Sequence, residues 1–410
     1  MPEFLQLLLP DEARRAWLAA FTATPSPERV LLASALGRVV AVPLRAVHPL
    51  PAFPRSTVDG FAVRAADTYG AGESLPAYLT VHAEVPMGAA PAFPVAAGRC
   101  ALIHTGGMLP QGADAVVMLE HAQVARADEI EIQRAVAVGE NVIQQGEDVA
   151  AGDVVIPAAT CLRAAEIGGL AALGITELDV VRRPRVGLIS SGDEVVPHDA
   201  NPAPGQVRDV NTHTLAASIR QAGGEAIPYG IAPDRLEALQ AMAARALAEC
   251  EAIVITAGSS ASTRDLTATV IDRLGSPGVL VHGINVRPGK PTILAVCDGK
   301  PVVGLPGNPV SALVIAELFV RPMLDVLLGL APQPRSFIPA QLALNLASQA
   351  GREDWVPVRL EMAASGWLAQ PVFGKSNLIF TLSRASGLIR IAPDATGLQA
   401  GESVAVFLMA

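Results

Sequence analysis

Between Arg182 and Leu330 the chain alternates short apolar β-prone runs with helical ones, and no other feature narrows the possible folds as far. The runs R-V-G-L-I-S, E-A-I-P-Y-G and A-I-V-I-T-A read as strands, interleaved with the helical runs N-T-H-T-L-A-A-S-I-R-Q-A-G, R-L-E-A-L-Q-A-M-A-A-R-A-L-A and D-L-T-A-T-V-I-D-R-L-G. Such alternation predicts a parallel sheet with crossover helices on its faces. The strands V-L-V-H-G-I, P-T-I-L-A-V and K-P-V-V-G-L and a long helix starting at Asn308 complete an α/β domain over residues 181–330.

At 410 residues the chain exceeds the ~250–300 at which one core stops growing, so further domains are expected. From Ala41, Pro43, Pro49, Pro51, Pro54, Pro86, Pro91, Pro94 and Pro110 punctuate short β-prone runs such as Y-L-T-V-H and A-D-A-V-V-M-L. That texture predicts a β-rich insertion domain over 41–140. Residues 1–40 and 141–180 flank it as a lobe with helical patterning, including P-E-R-V-L-L-A-S-A-L-G-R, where Pro27 and Glu28 suit a first helical turn and Gly37 a stop. A Pro-rich joint at 331–339 leads into a final segment ending at 410, with runs W-V-P-V-R-L, G-L-I-R-I-A and S-V-A-V-F-L-M that suggest a small β-barrel or sandwich.

The net charge of −9 argues against a broad nucleic-acid-binding face, so an anionic ligand must be held by local groups. Four cysteines, Cys100, Cys161, Cys250 and Cys297, lie far apart with no C-x-x-C pair and fit a reducing cytoplasm. Glu3, Asp11 and Glu12 oppose a signal peptide, and Glu317, Arg321, Pro322 and Asp325 interrupt the most apolar helical stretch, so no membrane span is expected. The seven histidines show no ligand spacing, and neither a Ser-His-Asp set, a G-K-[ST] loop nor a G-x-G-x-x-G run occurs.

Open parallel sheets bind ligands beyond the carboxyl ends of their strands. The segments there read S-S-G-D-E-V (190–195), G-I-A-P-D-R (230–235), T-A-G-S-S-A-S-T-R-D (256–265), N-V-R-P-G-K-P (285–291) and G-L-P-G-N-P-V-S (304–311). In the last, following Pro306, Gly307 allows close backbone approach, Asn308 suits an N-cap and Pro309 a first helical position, so free N–H groups would face an anion. Gly258, Ser259, Ser260 and Arg264 suit a phosphate or oxyanion cradle, and Arg287 and Lys290 flank a turn. Ordinary turns and a solvated loop are the alternative readings of these segments. Acids recur at the same places: Glu194, Asp209, Asp234 and Asp265, with Asp148 in the first lobe. Carboxylates of this kind suit Mg²⁺ shared with substrate phosphates, although acids also stabilise helix starts without a metal.

Together with P-R-S-T-V-D-G-F-A-V (54–63), H-T-G-G-M-L-P-Q-G-A-D-A-V-V (104–117) and G-E-D-V (146–149), these motifs resemble the molybdopterin molybdenumtransferase family, called MoeA in bacteria and represented in animals by the E domain of gephyrin. The resemblance runs through nearly the whole chain. It implies a multidomain α/β plus β architecture: a molybdopterin-binding (MoaB/Mog-like) α/β domain, a β-rich insertion reaching over a partner subunit in a homodimer, and a C-terminal small β-barrel. It further implies insertion of molybdate into adenylylated molybdopterin with release of AMP, assisted by Mg²⁺. Transient contact with the molybdopterin adenylyltransferase is implied as well.

Carried over by residue, the resemblance implies that Asp59 and Thr105 belong to the insertion's share of the cleft. Asp148, Glu194, Asp234 and Asp265 would serve the metal and pyrophosphate region, with Glu194, Asp234 and Asp265 as metal ligands. Lys290, Ser311, and Arg359 or Ser376 of the last domain would hold molybdate or phosphate. The chain departs from the family pattern at Ala257 and Ser262, where small flexible residues are usual, at Arg287, often Lys, and at Arg55, often Asn. The rival readings are a tungstate-inserting homologue and a non-catalytic molybdopterin-binding paralogue.

Overall fold

The structure is a computed structural model that describes residues 7–257, 261–331, 334–364 and 366–409; of 261–265 it describes the backbone alone. The chain divides into two compact units, one of Met1–Glu28, Gly37–Ala41 and Val180–Ala410, the other of Arg29–Leu36 and Val42–Asp179.

The larger unit contains the alternating stretch, folded as strand β1 (Arg185–Ser191), helix α1 (Asn211–Gln221), β2 (Glu225–Ala232), α2 (Leu236–Glu249), β3 (Ala252–Ala257), α3 (Ala261–Asp272), β4 (Pro277–His282), β5 (Ile293–Cys297) and β6 (Lys300–Pro306). The sheet order is β2-β1-β3-β6-β5-β4, with β2, β1, β3 and β6 parallel and β5 and β4 added antiparallel. Strand residues alternate between two cores, as a period of two on a sheet covered on both sides requires. Val186, Leu188, Val254 and Val303 join one core with Leu215 and Ile219 of α1; Ile189, Ile253, Ile255 and Val302 join the other with Leu239 and Ala243 of α2. Trp17 enters the first core from the N-terminal helix Pro10–Leu18, stacks near Phe319 and donates its indole N–H to the Ala295 carbonyl at 2.8 Å.

After β6 a helical run closes the domain in three pieces, Pro309–Ile315, a π-helical stretch Ala316–Val320, and Arg321–Leu327. The expected long helix from Asn308 is therefore present with one wide turn inside it. In the same unit, strands Glu353–Ala363, Gly366–Pro371, Phe337–Leu342, Ser403–Leu408 and Gly387–Ile391 pair in that order, and the last returns to the first, closing a five-stranded barrel. A two-residue strand, Val286–Arg287, pairs with its Glu353–Asp354 edge. Gly289 just beyond has φ +111°, and a Cβ there would lie 2.3 Å from Ile315 Cγ1, so only glycine fits this turn.

The smaller unit holds a six-stranded sheet in the order Ala115–Met118, Gly60–Val63, Arg99–Ile103, Ala77–Glu84, Glu129–Ile132, Ala122–Arg126, antiparallel except where Ala77–Glu84 meets Arg99–Ile103. Phe61, Val63, Leu79 and Val117 fill one face, Ala62, Ile103 and Val116 the other. The helix expected over P-E-R-V-L-L-A-S-A-L-G-R is not formed. Pro27–Leu31 is a strand paired with Glu177–Val181, followed by a short 3-10 turn, Leu32–Ser34. Exposure alternates along it, and Arg29 bridges to Glu177 and Asp179, so cross-strand pairing outweighs the local helical signal.

Candidate functional site

Three parallel strands end at one cleft of ≈ 710 Å³ in the larger unit. β1 supplies Ser190 and Ser191, β3 supplies Thr256, and the turn after β6 supplies Gly307 and Asn308. Around them lie Glu194, Arg208 and Asp209 from the segment between β1 and α1, Asn211 at the start of α1, and Asn377 and Ile379 from the segment before Gly387–Ile391. The register explains the convergence: Ser190 lies opposite Thr256 across β1 and β3, and Ala257 opposite Pro306 across β3 and β6.

The floor is a connected polar row. Thr212 donates its hydroxyl to Asp209 Oδ2 at 2.6 Å, Ser190 Oγ lies 3.0 Å from Thr212 Oγ1, and Thr256 Oγ1 lies 3.1 Å from Ser190 Oγ. Asp209 also caps α1 by accepting the Thr212 backbone N–H. Asn211 donates Nδ2 to the Gly307 carbonyl at 2.8 Å, tying the start of α1 to the turn after β6. Its Oδ1 is buried and has no hydrogen-bond partner among the described residues. At the rim, Ser191 donates to Asp234 Oδ1 at 2.7 Å, and the Asp234 backbone N–H donates to Asp193 at 3.1 Å.

The sequence-derived candidates fall into groups. Glu194, Gly307 and Asn308 line the cleft, Pro306 ends β6 beside it, and Asp234 is held at its edge through Ser191. Ser311 is buried one turn into the following helix. The carbonyl of Ser376 accepts the Val310 N–H at 3.0 Å. That bond spends one N–H of this helix start inside the protein. Arg287 and Lys290 are exposed and absent from the cleft lining, and Arg287 sits 3.9 Å from the buried carboxylate of Asp354, which Arg352 holds more closely at 2.7 Å. Arg359 pairs with Glu361 on the barrel strand. Arg208, unmarked by the sequence reading, is the basic side chain lining the cleft among the described residues. Gly258, Ser259 and Ser260 lie outside the described residues, and Arg264 and Asp265 are described only as backbone of α3.

In the smaller unit the pairing Gly60↔Ile103 brings the residues beyond those positions together. Asp59 Oδ1 accepts the Thr105 N–H at 2.7 Å and the Thr105 hydroxyl at 3.1 Å, with His104 Nδ1 3.7 Å away. The Thr105 backbone N–H above all, then its hydroxyl, holds the Asp59 carboxyl below its ordinary value. Asp148 is exposed in the same unit and does not join this pair; its N–H donates to the Leu50 carbonyl.

Asp209 was counted among the acids suited to Mg²⁺, and here it accepts the Thr212 hydroxyl, whereas Asn211 and Thr256 were not singled out as binding residues. Only the position of R-D-V-N before a helix hinted at Asn211, and nothing local marks Thr256, whose role comes from register. No group of three or more His, Cys, Asp or Glu side chains among the described residues is arranged to hold a metal by itself. Glu194 and Asp234 offer two carboxylates at one cleft edge, which fits Mg²⁺, an ion that takes one or two protein carboxylates and completes its shell from substrate phosphates.

Comparison with known proteins agrees with this layout. Residues 8–174 match the MoeA N-terminal region (domain I and II), 187–326 a probable molybdopterin binding domain, and 339–409 the MoeA C-terminal region (domain IV). The chain is 33% identical over 386 residues to a molybdopterin molybdenumtransferase of Nostoc, covering 92% of this chain and 88% of that one. It is 34% identical over 388 residues to molybdopterin molybdenumtransferase 2 of Mycobacterium tuberculosis, covering 93% and 95%. The crystal structure of the molybdopterin biosynthesis MoeA protein from Pyrococcus horikoshii superposes with a TM-score of 0.87 at 30% identity, covering 98% of this chain and 100% of that one.

Proposed function

The chain belongs to the MoeA family of molybdopterin molybdenumtransferases, and from that premise we propose that it inserts molybdate into adenylylated molybdopterin with release of AMP. The observation that carries the proposal is the convergence of three parallel strand ends on one polar cleft that also holds Glu194 and Arg208. This chemistry asks little covalent work of the protein. It must hold two anionic substrates together and stabilise charge as the phosphoanhydride breaks.

Arg208 supplies a fixed positive charge toward phosphate oxygens. Glu194 and Asp234 are the carboxylates that would hold Mg²⁺, and Ser191 orients Asp234 for it. When bound, the ion supplies charge neutralisation at the phosphates. Homodimer assembly, contact with the molybdopterin adenylyltransferase and a cytoplasmic location form part of the same proposal. The four unpaired cysteines fit a reducing compartment, and no described helix is long and apolar enough to cross a membrane.

The test is AMP release from adenylylated molybdopterin by the purified protein with molybdate and Mg²⁺, with tungstate in a parallel arm. Glu194→Gln should lower kcat/KM about tenfold or more while pterin binding stays within about threefold. Absence of AMP release with pterin binding retained would replace this activity by the binding-paralogue reading.

A further inference from the structure

We infer that the larger unit carries a second small-molecule site, back to back with the cleft, and that it takes a planar aromatic anion. This goes beyond the proposed function and does not depend on it. Between β1 and α1 the chain forms a ribbon in which Val195–Val196 runs parallel to Val207–Arg208. Glu194 and Arg208 of this segment line the cleft, whereas Asp193 and His198 line another cavity, of ≈ 740 Å³. Val195 and Asp209 line both, so the ribbon is a common wall. Opposite it, α1 contributes His213, Ala216 and Arg220, which share one helix face by their spacing of three and four residues. Residues of β2 complete the lining.

The lining selects its ligand. Pro197, Pro228 and Pro233 are rigid apolar walls that lose no rotamer freedom when covered. His198 and His213 stand edge to face with ring centroids 4.2 Å apart, and a third ring extends such a pair by the same geometry. Arg220 has neither a hydrogen bond nor an ion pair among the described residues, so its guanidinium fork is available to a phosphate or carboxylate. The acids of the lining do not cancel that charge. Asp209 spends both carboxylate oxygens on Thr212, and Asp193 accepts the Asp234 N–H. Thr212 lies eight residues before Arg220 on α1, about 12 Å along the axis, beyond the ~8 Å over which exposed charges act at physiological salt. The ring therefore lies over the histidines and prolines, with its anionic group at Arg220.

The test is calorimetric titration of the full chain with 1-naphthyl phosphate and with 1-naphthol, which keeps the ring and lacks the charge. The phosphate should bind about tenfold more tightly than naphthol, and Arg220→Gln should bring it down to the naphthol level, while Arg208→Gln leaves it within about twofold of the parent. Arg220 is exposed, so its replacement leaves the core intact. Absence of saturable binding, or equal affinity for the two ligands, overturns the inference in the parent protein alone. An Arg220→Gln protein that binds the phosphate within about twofold of the parent overturns it as well. Loss of binding in Arg208→Gln would place the ligand in the cleft and remove the second site. None of these outcomes requires AMP release, so the failure of that activity and the failure of this site are read apart.

Discussion

The two units build their candidate groups in opposite ways. In the larger unit Ser190, Ser191 and Thr256 are buried at the ends of strands packed on both faces, Asp209 is buried just before α1, and their hydrogen bonds run inward through the protein. In the smaller unit Asp59 and Thr105 are exposed, at the end of a strand pair, and bond chiefly to one another, with His104 3.7 Å from the carboxylate. The first arrangement holds its geometry before any ligand arrives. The second leaves a carboxylate ionised in water, where a hydrogen bond shifts its titration more readily than it fixes its position.

The strongest way to break this contrast is to loosen the first core. Phe319→Ala should destabilise the larger unit by about 3–5 kcal/mol, because a fully buried ring packed on Trp17 is lost and the cavity collapses only partly. Trp17, Trp355 and Trp367 all lie in that unit, so tryptophan fluorescence during denaturation reads the effect directly. An unchanged midpoint would remove the stiff core from the explanation of the site.

A smaller loss is expected from the matching lesion in the other unit. At Gly60 an added Cβ would lie 1.9 Å from the Val117 carbonyl oxygen, a backbone contact that cannot rotate away. Gly60→Ala should cost about 1–3 kcal/mol and accelerate labelling of Cys100, whose thiol is buried in the same core and pushed up to about 12 by that burial. Labelling as slow as in the parent would show that the strand pair carrying Asp59 tolerates the clash.

The smallest effect sharpens the electrostatic side. Thr105→Val removes the hydroxyl donor but keeps the backbone N–H, so the Asp59 carboxyl should titrate higher than in the parent and still below the ordinary value, as read by NMR titration. A depressed carboxyl pKa lends stability above the unfolded-state pKa, and this is lost as pH falls through the folded one. Parent and variant should therefore differ most near neutrality and converge in acid; a titration unmoved by the substitution would discard the hydroxyl as a cause.

The α/β domain was legible because its strands are continuous apolar runs and its helices carry clear periodicity. The loops after those strands were legible as chemistry for the same reason. Pro27–Leu31 misled because its apolar residues fit a helical stripe equally well, and its partner strand lies about 150 residues away, with |i−j| = 150 for Arg29 and Asp179. At the helix start after Asn308 the sequence could not show that the Val310 N–H is taken by Ser376, a contact that depends on the fold of the last domain. Asn211 and Thr256 gained their place from register and from the turn after β6, neither of which is written in local sequence.

The wide turn at Ala316–Val320 sets the angular phase of everything after it. Each residue of an α-helix advances about 100° around the axis, so the extra residue accommodated there decides which side chains of Arg321–Leu327 face inward. As built, Met323 and Leu324 are buried while Arg321 stays in solvent. Pro322, which has no N–H to give, falls within the first turn of the resumed helix, where that donor is not needed. Excising one residue from the bulge would let an ordinary α-turn close in its place with Met323 and Leu324 still inward, whereas excising one from the regular turns of Pro309–Ile315 would swing Arg321 toward the apolar interior and carry Met323 out of it.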